Sequence, residues 1–337
     1  MSHVCIHIGP SKTGTTTLQR EIFAKHSQIS YLGKPFYLPG RPAGDKKSDE
    51  SRLNEELVYT LRSKDSLEYE EGPVVDGIRT HLEKYPSGNR VSVLSEEGLA
   101  ASGRADRRLI AERLFRAFGD CDILITIRSQ MTCIPSIFLH YYRRGDFVGL
   151  NFDDWLRDDT KGRQRARVFE SWRQYDYYRL FRAYREVFPD SRVKLMLFEQ
   201  MSKHPDAFAD DLSAFLHIEA AETRSLFGNA RRLNTGVSKE EADFHRRYQA
   251  MRGRFDRVTQ RYLGGRDLEK LMPFAGHLRA AAKRAVKGHF VRKSAESGGA
   301  VEASEESLSI IRKHFRESNR RLADECELPL EEYGYPM

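Results

Sequence analysis

A glycine-rich stretch that carries one lysine and several hydroxyl groups is the part of the sequence best suited to chemistry. It follows the short apolar run Val4–Ile8 and precedes a segment with apolar residues at helical spacing. A strand, a glycine-rich loop and a helix in this order can bind phosphate, because the loop amides and the helix N-terminus point at the anion. The candidate phosphate-binding residues are Ser11, Lys12, Thr13, Gly14, Thr15, Thr16 and Thr17.

The position of the lysine separates this loop from the Walker A motif. That motif has its lysine directly after the second glycine, followed by Ser or Thr, whereas Lys12 precedes Gly14 here. A lysine inside the loop can contact a group that leaves, or is transferred from, the bound phosphate. The alternative is an ordinary tight turn with a solvated lysine.

A second candidate pair follows the apolar run Asp122–Ile127. Arg128 comes directly after this run, and Ser136 lies eight positions later in an expected helix. A guanidinium fork and a hydroxyl can together bind the 3′-phosphate of a ribose. The alternatives are a strand-end ion pair for Arg128 and a surface helix position for Ser136.

Both motifs resemble signatures of the sulfotransferases that use 3′-phosphoadenosine 5′-phosphosulfate (PAPS). Residues 9–19 match the form Gly-x-x-Lys-Thr-Gly-Thr-Thr-x-Leu-Gln that bacterial members often have, and Arg128 and Ser136 keep the separation of the second signature. The resemblance implies that PAPS is bound without a metal and released as adenosine 3′,5′-bisphosphate. It also implies that Lys12 contacts the bridging oxygen and the sulfuryl group, while residues 13–17 grip the 5′-phosphate.

Sulfuryl transfer also requires a base that takes the proton of the acceptor. The resemblance favours Glu97, at the end of an expected strand, with Glu96 as the second candidate. An exposed glutamate has a pKa of about 4.3, so this role requires burial or a neighbour that raises the pKa. The alternative is that both are solvated carboxylates that cap the next element.

Two later segments resemble the same family more loosely. Residues 197–216 resemble a strand–loop–helix segment in which Phe198 replaces a tyrosine, and we interpret Glu199 there as a structural anchor. A basic stretch resembles the loop that closes over the nucleotide, although an ordinary charged connection fits equally well. Its candidate binding residues are Arg231, Asn234, Thr235 and Gly236.

Strands that alternate with helices predict an α/β fold with a central parallel sheet flanked by helices, and the resemblance implies the P-loop-like sulfotransferase fold. In such a sheet the loops after the strands meet at one edge, so those starting at residues 9, 95, 128 and 198 should lie together. The expected strands are residues 4–8, 91–94, 122–127 and 192–198. The expected helices include residues 50–71, 74–85, 104–118, 132–144, 151–158, 168–188, 205–216, 238–262 and 308–322, with an irregular loop at 31–49.

This pattern predicts one α/β domain over residues 1–293 with a basic helical insertion near 238–293. A flexible loop is expected at 294–303, and a C-terminal helix in 304–337 is expected to pack on the same domain. The basic residues at 251–293 could steer an anionic acceptor or contact membrane headgroups, but a solvated helical face is favoured.

The 337 residues carry a formal net charge of +7, which is compatible with anionic ligands. We find no nucleic-acid-binding motif, and the four cysteines have neither metal-type spacing nor a disulfide pattern. No apolar run approaches the ~20 residues of a membrane span, and no signal peptide is visible, so a cytoplasmic protein is expected.

The resulting hypothesis is a sulfotransferase that moves a sulfuryl group from PAPS, in line, to an acceptor hydroxyl or amine, with a saccharide or glycolipid as the default acceptor. The alternatives are a P-loop-type small-molecule kinase and a non-catalytic nucleotide-binding protein. The oligomeric state stays open.

Overall fold

The computed structural model divides into two compact units, one comprising Met1–Cys133, Trp172–Leu233 and Ile310–Met337, the other Ile134–Ser171 and Asn234–Ser309. It describes residues 3–32, 60–62, 72, 75–76, 80, 91–100, 106–144, 151–157, 171–230 and 303–337. The candidate residues Arg231, Asn234, Thr235 and Gly236 lie outside these ranges, as does the helix expected at 238–262. Nearly all of the loop expected at 294–303 and of the helices expected at 50–71 and 74–85 also lies outside them.

Within the described residues, the first unit contains a five-stranded sheet in the order β2-β3-β1-β4-β5, with every neighbouring pair parallel. This confirms the predicted α/β fold with a central parallel sheet. The strands are β1 Val4–Ile8, β2 Ile29–Leu32, β3 Val91–Ser95, β4 Asp122–Ile127 and β5 Val193–Leu197.

The central strands are buried on both faces, which explains their nearly continuous apolar sequence. Every residue of β4 is buried, and His7 in β1 pairs with Ser95 in β3 on one side and with Leu124 in β4 on the other. Because the strands are parallel, their carboxyl ends lie at one edge of the sheet. The segments that follow β1, β3, β4 and β5 therefore emerge together, as the sequence predicts.

Helices connect and flank these strands. After β1, the short helix α1 (Thr15–Thr17) continues as a π-helical turn over Leu18–Phe23, in which the amide of Ala24 donates to the carbonyl of Gln19. The remaining α-helices are α2 Arg107–Phe118, α3 Gln130–Arg144, α4 Phe152–Arg157, α5 Tyr177–Arg185, α6 Phe198–Lys203, α7 Pro205–Leu216, α8 Ala220–Asn229 and α9 Glu305–Cys326. Short 3₁₀ turns occupy Glu97–Ala100, Trp172–Tyr175, Asp190–Arg192 and Glu331–Tyr333.

The turn after the phosphate-loop candidate is fixed by its packing. Leu18, Ile22 and Phe23 are fully buried, in one apolar cluster with residues of α7 such as Leu212. Burying such a side chain contributes about 1.5–3 kcal/mol, so the loop is followed by a firmly packed segment.

Several predicted boundaries are wrong, and three of them show why. The irregular loop expected at 31–49 begins too early, because Tyr31 and Leu32 belong to β2, which pairs with β3. The helix expected at 168–188 is interrupted at Asp176, whose side chain accepts from the amide of Arg179 and so caps a new helix. The last strand ends at Leu197, and Phe198 starts a helix.

The described part of the second unit includes the later turns of α3, all of α4 and the first residues of α9. Phe138 and Phe152 both pack on Trp155, with ring centroids 5.5 Å and 5.9 Å away. Asp153 in α4 accepts hydrogen bonds from the amide and the hydroxyl of Ser304. No helix among the described residues is both long enough and apolar enough to cross a membrane.

Candidate functional site

The loop after β1 is a compact turn with two left-handed residues. Lys12 has φ 73° and Gly14 has φ 92°, and turns of this kind gather backbone amides into a concavity that suits an anion. The start of the following helix leaves the amides of Thr15 and Thr16 without an intrahelical acceptor. The loop can therefore offer amides and a lysine to the same ligand.

Thr13 is used inside the loop. Its amide and its hydroxyl both donate to the carbonyl of Pro10, at 3.3 Å and 2.8 Å, and its hydroxyl also lies 3.1 Å from that of Thr126 in β4. The side chain is fully buried. This differs from the expectation that the Thr13 hydroxyl faces a phosphate, because the bond to Pro10 closes the turn instead.

Small residues allow the loop to lie close to the strand ends. A Cβ on Gly9 would lie 2.3 Å from Oγ1 of Thr126, and a Cβ on Gly14 would lie 2.5 Å from Cε of Met201. The carbonyl of Ser11 accepts from the hydroxyl of Tyr175 at 3.3 Å. The loop is thus held by neighbours on several sides, and larger residues at the two glycines would displace it.

Arg128 lies against this loop. Its Nη1 donates to the carbonyl of Lys12 at 3.2 Å, and its Nε donates to the hydroxyl of Thr132 at 3.0 Å. The guanidinium also lies 4.6 Å from the ring centre of Phe198. Since an arginine has five N–H donors, these two bonds leave further donors for a ligand next to the lysine-bearing loop.

The turn that carries Arg128 is anchored by buried groups. The hydroxyl of Tyr177 donates to the carbonyl of Arg128 at 2.7 Å. Glu199 accepts from the amide of Ser129 at 2.9 Å and from the hydroxyl of Tyr335 at 3.1 Å. Burial raises the pKa of Glu199 above its ordinary value, although these hydrogen bonds oppose the shift. These contacts suit the structural anchor that the sequence suggests for Glu199.

The two glutamates after β3 make different contacts. Oε1 of Glu97 accepts from the hydroxyl of Thr15, at the start of the loop helix, at 2.5 Å. Oε1 of Glu96 accepts from the amide of Gly98, two residues along its own chain, at 3.1 Å. Both side chains are half-buried. The described contacts therefore join Glu97 to the loop, whereas Glu96 closes a local turn.

A buried histidine lies directly below the loop. Nδ1 of His7 lies 2.7 Å from the hydroxyl of Ser95, and Nε2 lies 3.2 Å from the hydroxyl of Thr126. The ring is fully buried and packs edge-on against Phe23. Burial lowers the pKa of His7 to about 3, so the imidazole is uncharged near neutral pH.

The candidate residues are divided between the two units. Within the first unit, the Lys12 loop contacts both Arg128 and Glu97. Ser136 is a half-buried residue of α3 that belongs to the second unit. Among the described residues, no group of three or more His, Cys, Asp or Glu side chains is arranged to hold a metal ion.

Sequence reasoning missed the residues that support the loop from below. His7 and Thr126 are polar positions inside otherwise apolar strands, and buried polar groups need hydrogen-bond partners. That signal indicates a buried polar contact between strands. It does not say that the contact leads to the loop, because Thr13 and Thr126 are far apart in the sequence.

Several solved structures are similar to this chain, with low sequence identities and low TM-scores. A sulfotransferase from Alicyclobacillus acidocaldarius is 20% identical with a TM-score of 0.47, over 65% of this chain and 82% of that one. Mouse sulfotransferase SULT7A1, complexed with PAP, is 16% identical with a TM-score of 0.41, over 71% of this chain and 68% of that one. Sulfotransferase STF9 from Mycobacterium avium is 16% identical with a TM-score of 0.42, over 77% of each chain.

At TM-scores below 0.5 these likenesses support no conclusion about activity. No protein-family model matches the chain, and no curated protein matches it.

Proposed function

We propose that this protein is a sulfotransferase that moves a sulfuryl group from PAPS to an acceptor hydroxyl or amine. The observation that carries the proposal is the hydrogen bond from Arg128 to the carbonyl of Lys12. It joins two motifs that lie far apart in the sequence and that would bind opposite ends of one doubly phosphorylated adenosine.

The phosphate loop contributes charge and amides in this proposal. Lys12 contacts the bridging oxygen and the sulfuryl group of PAPS, and the amides at the start of α1 donate to the 5′-phosphate. As the bond to sulfur breaks, negative charge develops on the leaving phosphate. A fixed cation and fixed dipoles stabilise such charge without reorganising during the step, which is usually the largest contribution to catalysis.

Arg128 contributes the second phosphate contact. Its bonds to Lys12 and Thr132 fix the guanidinium, and its further N–H donors would bind the 3′-phosphate. The proposal includes Ser136 as a hydroxyl donor to the same group, and Arg231, Asn234, Thr235 and Gly236 as a loop that closes over the nucleotide.

Glu97 is the proposed base. Its hydrogen bond from Thr15 supports this choice over Glu96, because it joins the carboxylate to the loop that would hold the transferring group. The acceptor oxygen or nitrogen attacks sulfur in line with the leaving phosphate, and its proton passes to the Glu97 carboxylate. We propose a saccharide or glycolipid as the acceptor, and a cytoplasmic location for the reaction.

Calorimetry with two nucleotides tests the proposal. Adenosine 3′,5′-bisphosphate without metal is expected to bind at least about tenfold more tightly than ATP with Mg²⁺, because only the former carries a 3′-phosphate for Arg128. Tighter binding of ATP with Mg²⁺ would overturn the proposal in favour of a kinase.

A transfer assay separates an enzyme from a binding protein. The protein is incubated with PAPS carrying a radiolabelled sulfuryl group and with a panel of saccharide, glycolipid, phenol and amine acceptors. Labelled product is expected, and its formation should fall sharply in the Glu97→Gln variant. A variant that binds the bisphosphate normally and transfers as fast as wild type would remove Glu97 from the mechanism.

A further inference from the structure

The buried hydrogen bonds below the loop form one chain whose direction follows from counting protons. The carbonyl of Pro10 can only accept, so the single hydroxyl proton of Thr13 goes to it. Toward Thr126, Thr13 must then accept, and the proton of Thr126 is used in that 3.1 Å contact. Nε2 of His7, which lies 3.2 Å from the Thr126 oxygen, must therefore carry a hydrogen and donate it.

The other half of the chain follows in the same way. With its proton on Nε2, an uncharged His7 has a bare Nδ1 that accepts from the hydroxyl of Ser95. The oxygen of Ser95 in turn accepts from Nε2 of Gln19 at 3.0 Å. All three side chains are fully buried, so water does not compete for these bonds.

We propose that His7, in its uncharged Nε2–H form, is a positioning residue for the phosphate loop, which it orients through Thr126 and Thr13. The chain of bonds ends at the turn that carries Lys12, whose own carbonyl is held from the side by Arg128. Two independent sets of contacts thus fix the left-handed turn at residue 12. The consequence for ligand binding rests on the proposed function, whereas the tautomer and the loop's dependence on it do not.

A charged His7 would disrupt this arrangement. With hydrogens on both nitrogens, His7 would also donate to Ser95, which already accepts from Gln19. The hydroxyl proton of Ser95 would then lose Nδ1 of His7 as its acceptor, and a buried hydrogen bond that is lost is costly. The hydrogen bonds of Ser95 therefore favour the uncharged form of His7.

The Thr126→Val variant tests the link between His7 and the loop. It keeps the shape of the side chain but removes the hydroxyl, and it should weaken binding of adenosine 3′,5′-bisphosphate by about tenfold. Thr126→Ser, which keeps the hydroxyl, should bind within about twofold of wild type. Thr223→Val is a matched control, because it also removes a buried, hydrogen-bonded threonine hydroxyl, in α8.

Affinity is measured by calorimetry, and the melting temperature is measured for each variant. Weaker binding in Thr126→Val but not in Thr223→Val supports the proposal, whatever their melting temperatures. Equal affinity changes in the two valine variants, or no change in Thr126→Val, would overturn it.

Nuclear magnetic resonance provides a test that needs no nucleotide. Long-range ¹H–¹⁵N spectra should show the Nε2–H tautomer of His7, and the amide signals of Lys12, Thr13 and Gly14 should shift in Thr126→Val but not in Thr223→Val. The Nδ1–H tautomer, or unchanged loop signals, would overturn the proposal. If these signals respond but wild type binds no bisphosphate, the proposed function fails and the positioning role stands.

Discussion

The two ends of the same parallel strands are built with different polar chemistry. At the amino end of β4, Asp122 accepts from Nη1 of Arg192 at 2.9 Å and is bonded to His3. Burial alone would raise the pKa of Asp122, but the hydrogen bonds and charges of His3 and Arg192 outweigh it and lower the pKa. There, charged groups neutralise one another.

At the carboxyl end, buried uncharged groups hold a loop instead. His7, Thr126 and Thr13 are fully or almost fully buried and connect strands to the turn, while the cations Lys12 and Arg128 lie above them, half-buried. The difference suggests a division of tasks along each strand. Substitutions at the amino end should mainly change stability, and substitutions at the carboxyl end should mainly change ligand binding.

The largest expected effect is that of Lys12→Ala. Removing the cation proposed to stabilise the leaving phosphate should lower transfer from PAPS by about 10³-fold, while the melting temperature stays near that of wild type, because Lys12 is only half-buried. Transfer is measured with the radiolabelled donor.

Lys194→Ala serves as the matched control for this prediction. Lys194 is a lysine of strand β5, where its ammonium is 3.5 Å from Asp211 in a partly exposed ion pair. Such pairs contribute little to stability, so both transfer and melting should stay near wild type. Full turnover by Lys12→Ala would remove the lysine from the mechanism.

Arg128→Ala and Arg192→Ala compare the two ends directly. Charged hydrogen bonds contribute about 2 kcal/mol, so Arg128→Ala should weaken binding of adenosine 3′,5′-bisphosphate by about 30-fold with little loss of stability. Arg192→Ala should bind within about twofold of wild type but lose about 1 kcal/mol of unfolding free energy, since Arg192 is partly exposed and screened by solvent. Calorimetry and urea unfolding measure the two quantities.

The opposite pattern, with Arg192→Ala impaired in binding and Arg128→Ala only less stable, would contradict the proposed division between the two ends.

The last prediction concerns pH and separates His7 from the charged groups. The pKa of His7 is about 3 in the folded state, below the ordinary value of about 6.5, so the unfolded chain takes up the proton first. Uncharged His7 therefore contributes its full stabilisation above about pH 6.5. This stabilisation is lost as the pH falls toward about 3, the pKa of His7 in the folded state. From about pH 7 to about pH 5, wild type should lose about 2 kcal/mol more than His7→Gln.

Urea unfolding of both proteins at the two pH values measures this difference. The comparison uses the change with pH and not the absolute stability, so a general destabilisation by the substitution cancels. Parallel pH dependences of the two proteins would mean that His7 does not stay uncharged in the folded state.

The sheet was largely predictable because its strands are apolar and buried. Asp122–Ile127 was recognisable as a strand because it is short and nearly continuously apolar. Its place beside β1, and not beside the preceding strand β3, does not follow from the alternation of strands and helices. The strand Ile29–Leu32 was missed because it has only four residues and runs into a sequence rich in Gly, Pro and Lys. Its pairing with β3 depends on tertiary context, which local sequence does not carry.

The candidate site was predictable only at the level of motifs. The loop around Lys12 and the strand-end Arg128 follow from residue types and spacing, and the edge they share follows from parallel topology. The contact between Thr15 and Glu97, and the inward turn of Thr13, could not be predicted. They depend on which hydroxyl finds which acceptor once the chain is packed.

The left-handed backbone at Lys12 also has a consequence for directed evolution. A side chain in this conformation costs about 1 kcal/mol relative to glycine. A library screened only for survival after heating should therefore enrich glycine at position 12, whereas a library screened for sulfated product should retain the lysine. The residue found at position 12 after selection would then show whether the library had been selected for heat resistance or for activity.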